Sequence, residues 1–427
     1  MARDVVVIGA GLLGITTAYF LRQHGYDVTV LERASEPALG ASYGNGGYYQ
    51  STMPDPWNAP GALKMFAQAW MASITGKGDH SAFCARTSAL PGLMSWGVRF
   101  LRNANRETFL SHLIKNKNLA QYTQTVVEDL VERETLDFAR ATDGGLVVFR
   151  KPEALESYGE LAQWVSEHGA RFELLDRDAL LAKEPSLTEV GDELVGAVHF
   201  PDDSAGNSKI FCDQMAAIAQ QNGVDFHYDT QVQKVSTTTE GVRVTTSEGE
   251  FAANALVIAA GVHSRALATP LGIDLPIAPA KGYSISVPMG GWSNRPRHVI
   301  ADMDTHAGLN PMGDVLRVAG TAEFTGMRSG VSEERTRYLI SLVRQLFPSF
   351  AKDVDPAQID PWGGHRPLSA DGIPMIGETP VKGVYVNTGH GGLGWTQAPG
   401  SSKALADLIA GDDSRFDLSG FSIARFR

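Results

Sequence analysis

Residues Val5–Gly14 read Val-Val-Val-Ile-Gly-Ala-Gly-Leu-Leu-Gly, and this stretch decides the fold. Its first four residues are continuously apolar and β-branched, which is typical of a strand buried on both faces. Helical apolar spacing follows in residues 15–24. In this Gly-x-Gly-x-x-Gly turn, Gly9 permits the sharp bend, Gly11 lets the backbone approach a pyrophosphate, and Gly14 lets the helix pack against the strand. We therefore predict a phosphate site at the helix N-terminus, which offers free N–H groups and a partial positive charge.

An acidic residue stands where a dinucleotide fold needs one. The next strand, Val28–Leu31, ends at Glu32, which lies 18 residues beyond Gly14. A carboxylate there accepts hydrogen bonds from the adenosine ribose hydroxyls and repels a 2′-phosphate. The segment therefore predicts binding of NAD or FAD and disfavours NADP. Leu12 and Arg33 flank these positions and are included in the predicted binding site.

A second glycine pattern decides between the two dinucleotides. Gly389, Gly391 and Gly394 follow a predicted strand at residues 384–387 and precede a predicted helix at residues 399–409. A second NADH site is disfavoured, because the chain ends 33 residues after Gly394 and offers no further strand with an acid. Backbone N–H groups and a helix N-terminus suit a ring that becomes negative on reduction. The pattern therefore favours FAD.

The composition excludes several classes of protein. The net charge is −11, and the basic footprint of a nucleic-acid-binding protein is missing. The two cysteines, Cys84 and Cys212, form no Cys-x-x-Cys pair, so we expect no zinc cluster and no other metal site. No apolar run reaches the roughly 18 residues that span a bilayer. We expect a cytoplasmic protein. An apolar helix face formed by Leu63, Phe66, Trp70 and Ile74 is read as core-facing, with peripheral contact at the cytoplasmic side of the inner membrane as the alternative.

The order of the predicted elements indicates two domains of the α/β + β class. We predict a Rossmann-type (GR2-like) FAD-binding domain from residues 1–57, 195–275 and 355–427. The remaining segments, 58–194 and 276–354, are predicted to form a mainly antiparallel β domain that binds substrate.

Several further motifs carry a resemblance over nearly the whole chain. The chain resembles the bacterial FAD-dependent D-amino-acid dehydrogenases, within the D-amino-acid oxidase and glycine/sarcosine oxidase superfamily. Besides Gly9–Gly14 with Glu32, the motifs are Ser42-x-x-Asn45-x-Gly47, Trp57-x-Ala-Pro-Gly61, Lys281-Gly-Tyr-Ser284, Gly320-Thr-Ala-Glu323, Trp362-Gly-Gly-His-Arg-Pro367, Asp371-Gly-Ile-Pro374, Asn387-Thr-Gly-His-Gly-Gly-Leu-Gly-Trp-Thr396 and Ser422-Ile-Ala-Arg-Phe426.

The resemblance implies oxidation of an amine with hydride transfer from Cα to flavin N5, giving a 2-oxo acid and ammonia. It also implies that electrons pass to a quinone or the respiratory chain. The FAD contacts that it implies, beyond the first glycine turn, are Ser42, Asn45, Gly46, Gly47, Val232, Ala260, Gly261, Gly391, Gly392, Leu393, Gly394 and Thr396. Neither cysteine lies in the terminal glycine region, so the FAD is expected to be non-covalent.

The resemblance also implies a substrate site. Arg366 matches the arginine that clamps the substrate carboxylate, and a planar guanidinium suits that task. Lys281 is expected either to reach the flavin N5 region through water or to be exposed, and Tyr283 to line the pocket or the core. His365 and His306 depart from the family pattern. These departures leave the substrate open between D-amino acids, cyclic imino acids such as D-proline or hydroxy-D-proline, and sarcosine or glycine.

Overall fold

The computed structural model describes residues 4–62, 64, 67, 68, 71, 83–86 and 89–426 of the 427-residue chain. The four residues of the predicted apolar face, at positions 63, 66, 70 and 74, lie outside these ranges. Within the described ranges, no helix is both long enough and apolar enough to cross a membrane.

The strands belong mainly to two large sheets. They are β1 (Asp4–Ile8), β2 (Asp27–Leu31), β3 (Tyr48–Tyr49), β4 (Phe83–Ala85), β5 (Gly145–Phe149), β6 (Glu173–Asp176), β7 (Gly196–Phe200), β8 (Ser204–Ala205), β9 (Asp225–His227), β10 (Val232–Thr237), β11 (Val242–Thr246), β12 (Glu250–Ala253), β13 (Ala255–Ile258), β14 (Ile277–Pro288), β15 (Val299–Asp302), β16 (Ala307–Met312), β17 (Val315–Phe324), β18 (Asp360–Ser369), β19 (Met375–Glu378) and β20 (Val384–Thr388).

The helices pack on these sheets. They are α1 (Leu12–Gln23), α2 (Leu90–Asn103), α3 (Arg106–Glu134), α4 (Pro152–Ser166), α5 (Arg177–Lys183), α6 (Ser208–Gln221), α7 (Ser264–Ala268), α8 (Glu333–Leu346), α9 (Pro348–Asp353) and α10 (Gly394–Ala410).

The first large sheet has the order β19-β20-β13-β1-β2-β9 and is parallel except for the edge strand β19. Val5 and Val7 are almost fully buried on one face, against a core that α1, α6 and α10 share. Val6 and Ile8 are buried on the other face, against the small antiparallel sheet β10-β11-β12. A strand covered on both faces explains the continuous apolar run.

The second large sheet has the order β18-β14-β17-β16-β15-β5-β7-β6, with β4 beside β17. Its pairs are antiparallel except for β15 with β5 and β17 with β4. The predicted Rossmann-type domain with a mainly antiparallel β partner is thereby confirmed. The chain crosses between the sheets more often than the predicted division implies, because β7 and β18 join the second sheet from the segments 195–275 and 355–427.

The structure differs from the local predictions at several places, of which three bear on the site. The last helix begins at Gly394 rather than at residue 399, so Pro399 lies inside it. Helix α4 was not predicted. Strand β4 was also not predicted, because it pairs with β17, which is distant in sequence. Such pairing leaves no local signal, since tertiary contacts override intrinsic propensity.

Candidate active site

A cavity of about 1070 Å³ is lined by residues from both large sheets and from the loops between them. Most of the predicted site residues lie on its wall. They are Gly9, Gly11, Leu12, Glu32, Arg33, Ser42, Asn45, Gly46, Val232, Ala260, Gly261, Gly391, Gly392, Leu393, Gly394, Tyr283, His306, His365 and Arg366. Four predicted residues do not line the cavity, namely Gly14, Gly47, Lys281 and Thr396.

The first glycine turn forms one end of the cavity. Gly9 has a φ of 106°, and a Cβ there would lie 2.8 Å from the carbonyl oxygen of Ala259. A Cβ on Gly14 would lie 1.7 Å from the carbonyl oxygen of Gly9, so this glycine serves the helix–strand contact. Glu32 is held by the backbone N–H groups of Ala10 and Ala34, at 2.7 and 2.9 Å. The turn and its acid are therefore rigidly placed.

The terminal glycine loop forms another part of the wall. A short 3₁₀ turn, Gly391–Leu393, leads into α10, whose first N–H groups have no side-chain cap. Such uncapped groups carry the partial positive charge of a helix N-terminus. His390 is buried beside them, and burial lowers its pKa to about 3. Its Nε2 contacts Ser401 Oγ at 3.2 Å, whereas its buried Nδ1 has no hydrogen-bond partner.

Arg366 stands next to the terminal loop. Its side chain lies over Gly282 of β14, where a Cβ would come within 2.4 Å of the guanidinium carbon. Nη1 donates to the carbonyl oxygen of Thr321 at 2.9 Å, and the ring of Trp57 lies 5.8 Å from the guanidinium. A Cβ on Gly392 would lie 3.9 Å from Arg366 Cδ. Burial lowers the pKa of Arg366 to about 10, so the group stays cationic at neutral pH.

A strained residue holds the acceptor for Arg366. Thr321 has a φ of 63°, a conformation that β-branched residues rarely adopt. It lies where the pairing of β14 with β17 shifts register, between Lys281 and Tyr283. A register shift of this kind bends a strand and redirects its carbonyl groups. The bulge therefore turns the Thr321 carbonyl toward the cavity.

Lys281 and Tyr283 belong to a buried polar network. Tyr283 lines the cavity, and its hydroxyl donates to Glu323 at 2.8 Å. Glu323 in turn pairs with the fully buried Arg335 at 2.7 Å. Lys281 is buried and donates to the carbonyl oxygen of Gly330, and burial lowers its pKa. The alternative of an exposed lysine is therefore wrong, while Tyr283 is both a core residue and a cavity residue.

The two unusual histidines both reach the cavity. His306 has a φ of 51°, in the turn between β15 and β16, and its ring contacts Phe83 edge-on at 5.3 Å. His365 pairs across the sheet with Lys281, and its buried Nε2 has no hydrogen-bond partner. Burial lowers the pKa of both rings. Each imidazole is therefore neutral near pH 7.

Sequence reasoning missed part of the wall. Asp55, Trp57, Phe83, Tyr158 and Trp362 all line the cavity. Trp57 and Trp362 stand inside motifs that carried the resemblance, so the motifs could have identified them. Tyr158 comes from the unpredicted helix α4, and only the folded chain brings it to the site.

The comparisons with known proteins agree with this geometry. Residues 4–408 match the family described as FAD dependent oxidoreductase. The chain belongs to the FAD-dependent oxidoreductases. Relatives include D-amino acid dehydrogenases of Vibrio vulnificus strain CMCP6, 34% identical over 422 residues, and of Rhizobium johnstonii, 34% identical over 423 residues, each covering 99% of both chains. Glycine oxidase from Geobacillus kaustophilus has a TM-score of 0.76 at 21% identity, covering 99% of this chain and 98% of its own. L-proline dehydrogenase from P. horikoshii has a TM-score of 0.74 at 17% identity, covering 99% and 97%.

The cavity of this FAD-dependent oxidoreductase fits its cofactor chemically. The first glycine turn leaves no side chain between the backbone and the cavity, and Glu32 presents a fixed carboxylate near it. The terminal loop adds a second uncapped helix start, with an unpaired ring nitrogen of His390 beside it. The N-terminus of α1 matches a pyrophosphate, and the N-terminus of α10 matches a ring that becomes negative on reduction. The fixed carboxylate of Glu32 matches a ribose.

Proposed function

We propose that this chain oxidises D-amino acids to 2-oxo acids and ammonia. The amine loses a hydride from Cα and a proton from nitrogen, and water then hydrolyses the resulting imine. The bound FAD supplies the hydride acceptor, and the protein supplies binding, orientation and electrostatics. Relatives named D-amino acid dehydrogenase, at 34% identity over 99% of the chain, support this choice.

One observation carries the proposal. The guanidinium of Arg366 lies half-buried on the cavity wall, beside the terminal glycine loop, and in the part of the chain that the structure describes it forms no ion pair. A half-buried cation that no acid of the chain neutralises favours the binding of an anionic ligand group. A planar guanidinium binds a carboxylate through two parallel hydrogen bonds. Arg366 is therefore proposed to clamp the substrate carboxylate next to the flavin.

We also propose which residues hold the cofactor. Glu32 would accept hydrogen bonds from the ribose, and Val232 would meet the adenine through its backbone. The pyrophosphate would lie against the first glycine turn, Ser42 and Ala260–Gly261. Residues 391–394 would hold the flavin ring. The cofactor is proposed to be non-covalent, because neither cysteine belongs to this loop: Cys84 is buried in β4 and Cys212 in α6.

The remaining site residues are proposed to orient the substrate. Hydride transfer leaves no carbanion, so no strong base is required at Cα. Fixing the carboxylate aligns the Cα–H bond and lowers the barrier through orientation. Tyr283 is held by Glu323, and His306 and His365 are neutral rings that can accept or donate hydrogen bonds. Lys281 lies behind the wall and is proposed to support Tyr283, whose ring centre is 5.3 Å from Nζ.

The electron acceptor is proposed to be a quinone of the respiratory chain, with the enzyme on the cytoplasmic side of the inner membrane. The names of the relatives support a dehydrogenase. Peroxide formation in air is compared with reduction of a quinone analogue, using one good substrate. Dye or quinone reduction with little peroxide supports the proposal, and peroxide formation without dye activity contradicts it.

Cyclic imino acids remain the second candidate. Trp57, Phe83 and His306 form a chain of edge-on ring contacts at 6.3 and 5.3 Å, and all three line the cavity. An aromatic wall of this kind can pack against a pyrrolidine ring.

An anaerobic amine screen separates the candidates. The flavin-loaded protein is mixed with D-alanine, D-lysine, D-proline, hydroxy-D-proline, glycine and sarcosine, and flavin bleaching is followed. Fastest bleaching by primary D-amino acids supports the proposal. Preference for the cyclic acids selects the second candidate, and preference for glycine or sarcosine indicates chemistry of the glycine oxidase type. A flavin that no amine bleaches indicates a protein without amine oxidation.

A further inference from the structure

Three consecutive carbonyl groups of the loop at residues 44–46 are held by side chains of the second large sheet. Each of the strands β14, β16 and β17 supplies one donor: Ser284 donates to the carbonyl oxygen of Gly44 at 2.7 Å, Asn310 to that of Gly46 at 2.6 Å, and Arg317 to that of Asn45 at 2.8 Å. All three loop residues line the cavity. The second large sheet therefore fixes the orientation of this part of the cavity wall.

This arrangement turns two backbone N–H groups toward the cavity. In a planar trans peptide, the C=O and N–H bonds point in opposite directions. The carbonyls of Gly44 and Asn45 point into the sheet, so the N–H groups of Asn45 and Gly46 point away from it. Neither N–H group donates to any of the residues that the structure describes, whereas the N–H of Gly47 donates to Asn45 Oδ1 at 2.7 Å. Two neighbouring N–H groups of this kind favour a ligand atom that carries negative charge.

The contacts of the loop place these N–H groups at the substrate end of the cavity. A Cβ on Gly46 would lie 3.1 Å from the Cβ of Ala319. Ala319 stands two residues before Thr321, whose carbonyl oxygen holds Arg366, and two residues of a strand span about 6.5 Å. The nucleotide end begins at Ser42, whose hydroxyl accepts from the first N–H of α1 at 3.1 Å. Gly46 therefore lies closer to the proposed ring site than the start of the loop does.

Arg317 is the one charged group among the three donors. It is 7% exposed, its Nε has no hydrogen-bond partner, and within the described ranges no acid forms a salt bridge with it. Asp360 faces it from two strands away, in the row of the sheet that runs through Ser286, and is exposed. A buried charge acts strongly on its surroundings, because little water screens it. Its guanidinium also polarises the peptide between Asn45 and Gly46, which makes the N–H of Gly46 a stronger donor.

We propose that Arg317 is a positioning residue for the flavin, which directs the N–H of Gly46 to the ring and stabilises the negative charge that the ring gains on reduction. This inference rests on the placement of the ring that is part of the proposed function. A cation close to the ring raises its reduction potential, because the reduced form gains more from the charge than the oxidised form does. The second large sheet thus influences how readily the flavin accepts hydride, besides binding the substrate.

The test measures the reduction potential of the bound flavin in the absence of any amine. The flavin-loaded proteins are reduced anaerobically together with a dye of known potential. Arg317→Gln keeps a donor for the carbonyl of Asn45 but loses the charge, and Arg317→Met loses both. We expect the ratio of reduced to oxidised flavin at a given potential to fall roughly tenfold in both variants, which corresponds to about 30 mV for a two-electron couple. Arg317→Lys keeps the charge, and its ratio should stay within about threefold of the wild type.

A matched control removes a cation that water screens. Arg297 is 68% exposed and pairs with Asp143 at 3.4 Å, so Arg297→Met should leave the reduction potential unchanged. The affinities for oxidised and for reduced FAD are measured in parallel. The potential falls only when reduced FAD is weakened more than oxidised FAD, whereas a role confined to holding the loop weakens both forms equally.

The outcomes separate this inference from the proposed function. A lower potential in Arg317→Gln, with recovery in Arg317→Lys, supports the inference, and this pair decides the outcome if Arg317→Met does not fold. Equal weakening of both forms of FAD, with an unchanged potential in Arg317→Gln, contradicts it even if D-amino acids bleach the flavin. If the potential falls in Arg317→Gln but no amine bleaches the flavin, this inference stands and the proposed oxidation of D-amino acids is wrong.

Discussion

Arg366 donates a hydrogen bond to the carbonyl oxygen of Thr321, and Thr321 presents that oxygen through a left-handed backbone conformation with a φ of 63°. Strained conformations of this kind cost about 1–3 kcal/mol and persist where the surrounding structure enforces them. Here one guanidinium nitrogen is fixed by the protein, and the side chain lies over Gly282, which has no Cβ to displace it. The other two guanidinium nitrogens of Arg366 are available to a ligand. The strained backbone of Thr321 thus orients the guanidinium of Arg366.

Replacing Arg366 tests this arrangement. Arg366→Lys keeps the charge. An ammonium group, however, cannot bind a carboxylate through two parallel hydrogen bonds while it also donates to Thr321. We expect kcat/KM for the best D-amino acid to fall by about 100-fold or more, with the flavin still bound. Steady-state kinetics and the absorbance ratio of flavin to protein measure the two effects. Kinetics equal to those of the wild type would remove Arg366 from the substrate site.

Replacing Glu32 tests the nucleotide end. Its two carboxylate oxygens accept from the N–H groups of Ala10 and Ala34, so Glu32→Gln breaks one of these bonds and removes the charge proposed to face the ribose. We expect the dissociation constant for FAD to rise by roughly tenfold or more. It is measured by flavin fluorescence after gel filtration and reconstitution. Glu36→Gln is the control, because Glu36 is half exposed and pairs with Lys209 at 3.8 Å. An equal loss of FAD in both variants would contradict the assignment.

The nucleotide end could be predicted from sequence because its causes are local. Gly9, Gly14 and Glu32 lie within one strand–turn–helix–strand unit, in which Gly9 has a positive φ and Gly14 is required by its contact with the carbonyl oxygen of Gly9. The same holds for the terminal loop, where the glycines directly precede α10. Short-range geometry constrains short stretches of sequence, so the strands, turns and helices of these stretches could be predicted.

The substrate end could be predicted only in part, because distant segments build it. Asp55 and Tyr158 meet at the cavity although about one hundred residues separate them, and neither belongs to a local pattern of the kind that marks a phosphate site. The burial of Lys281 could not be predicted from the sequence either, because its position depends on the loop that carries Gly330. Arg366 was found only because the resemblance named it.

Arg335 provides a test of the network behind the cavity. It is fully buried and pairs with Glu323, which also accepts from Tyr283. Arg335→Met leaves Glu323 buried without its cation, and we expect a loss of about 3–5 kcal/mol of unfolding free energy. Urea unfolding measures it. Arg337→Met, on the same helix but 67% exposed, should stay within about 0.5 kcal/mol of the wild type. We expect the double variant Arg335→Met, Glu323→Gln to recover stability, because it no longer contains the unpaired charge of Glu323.

The pH dependence of stability provides a test of Asp55 that needs no substrate. Burial raises its pKa from 3.8 in the unfolded chain to about 7 in the folded protein. The folded state therefore binds the proton more tightly, and this stabilisation is complete below pH 4 and is lost as the pH rises through 7. Nearby Tyr48 and Tyr158 stay neutral throughout, because burial raises their pKa values.

Asp55→Asn removes this titration, so we expect the variant and the wild type to converge below pH 4 and to diverge by several degrees in Tm above pH 7, with the variant more stable. Thermal unfolding of the flavin-loaded proteins between about pH 3 and pH 8 measures the difference. Asp314→Asn, whose side chain is 87% exposed, should follow the wild type across the range. A constant difference between Asp55→Asn and the wild type at every pH would mean that Asp55 does not titrate in this window.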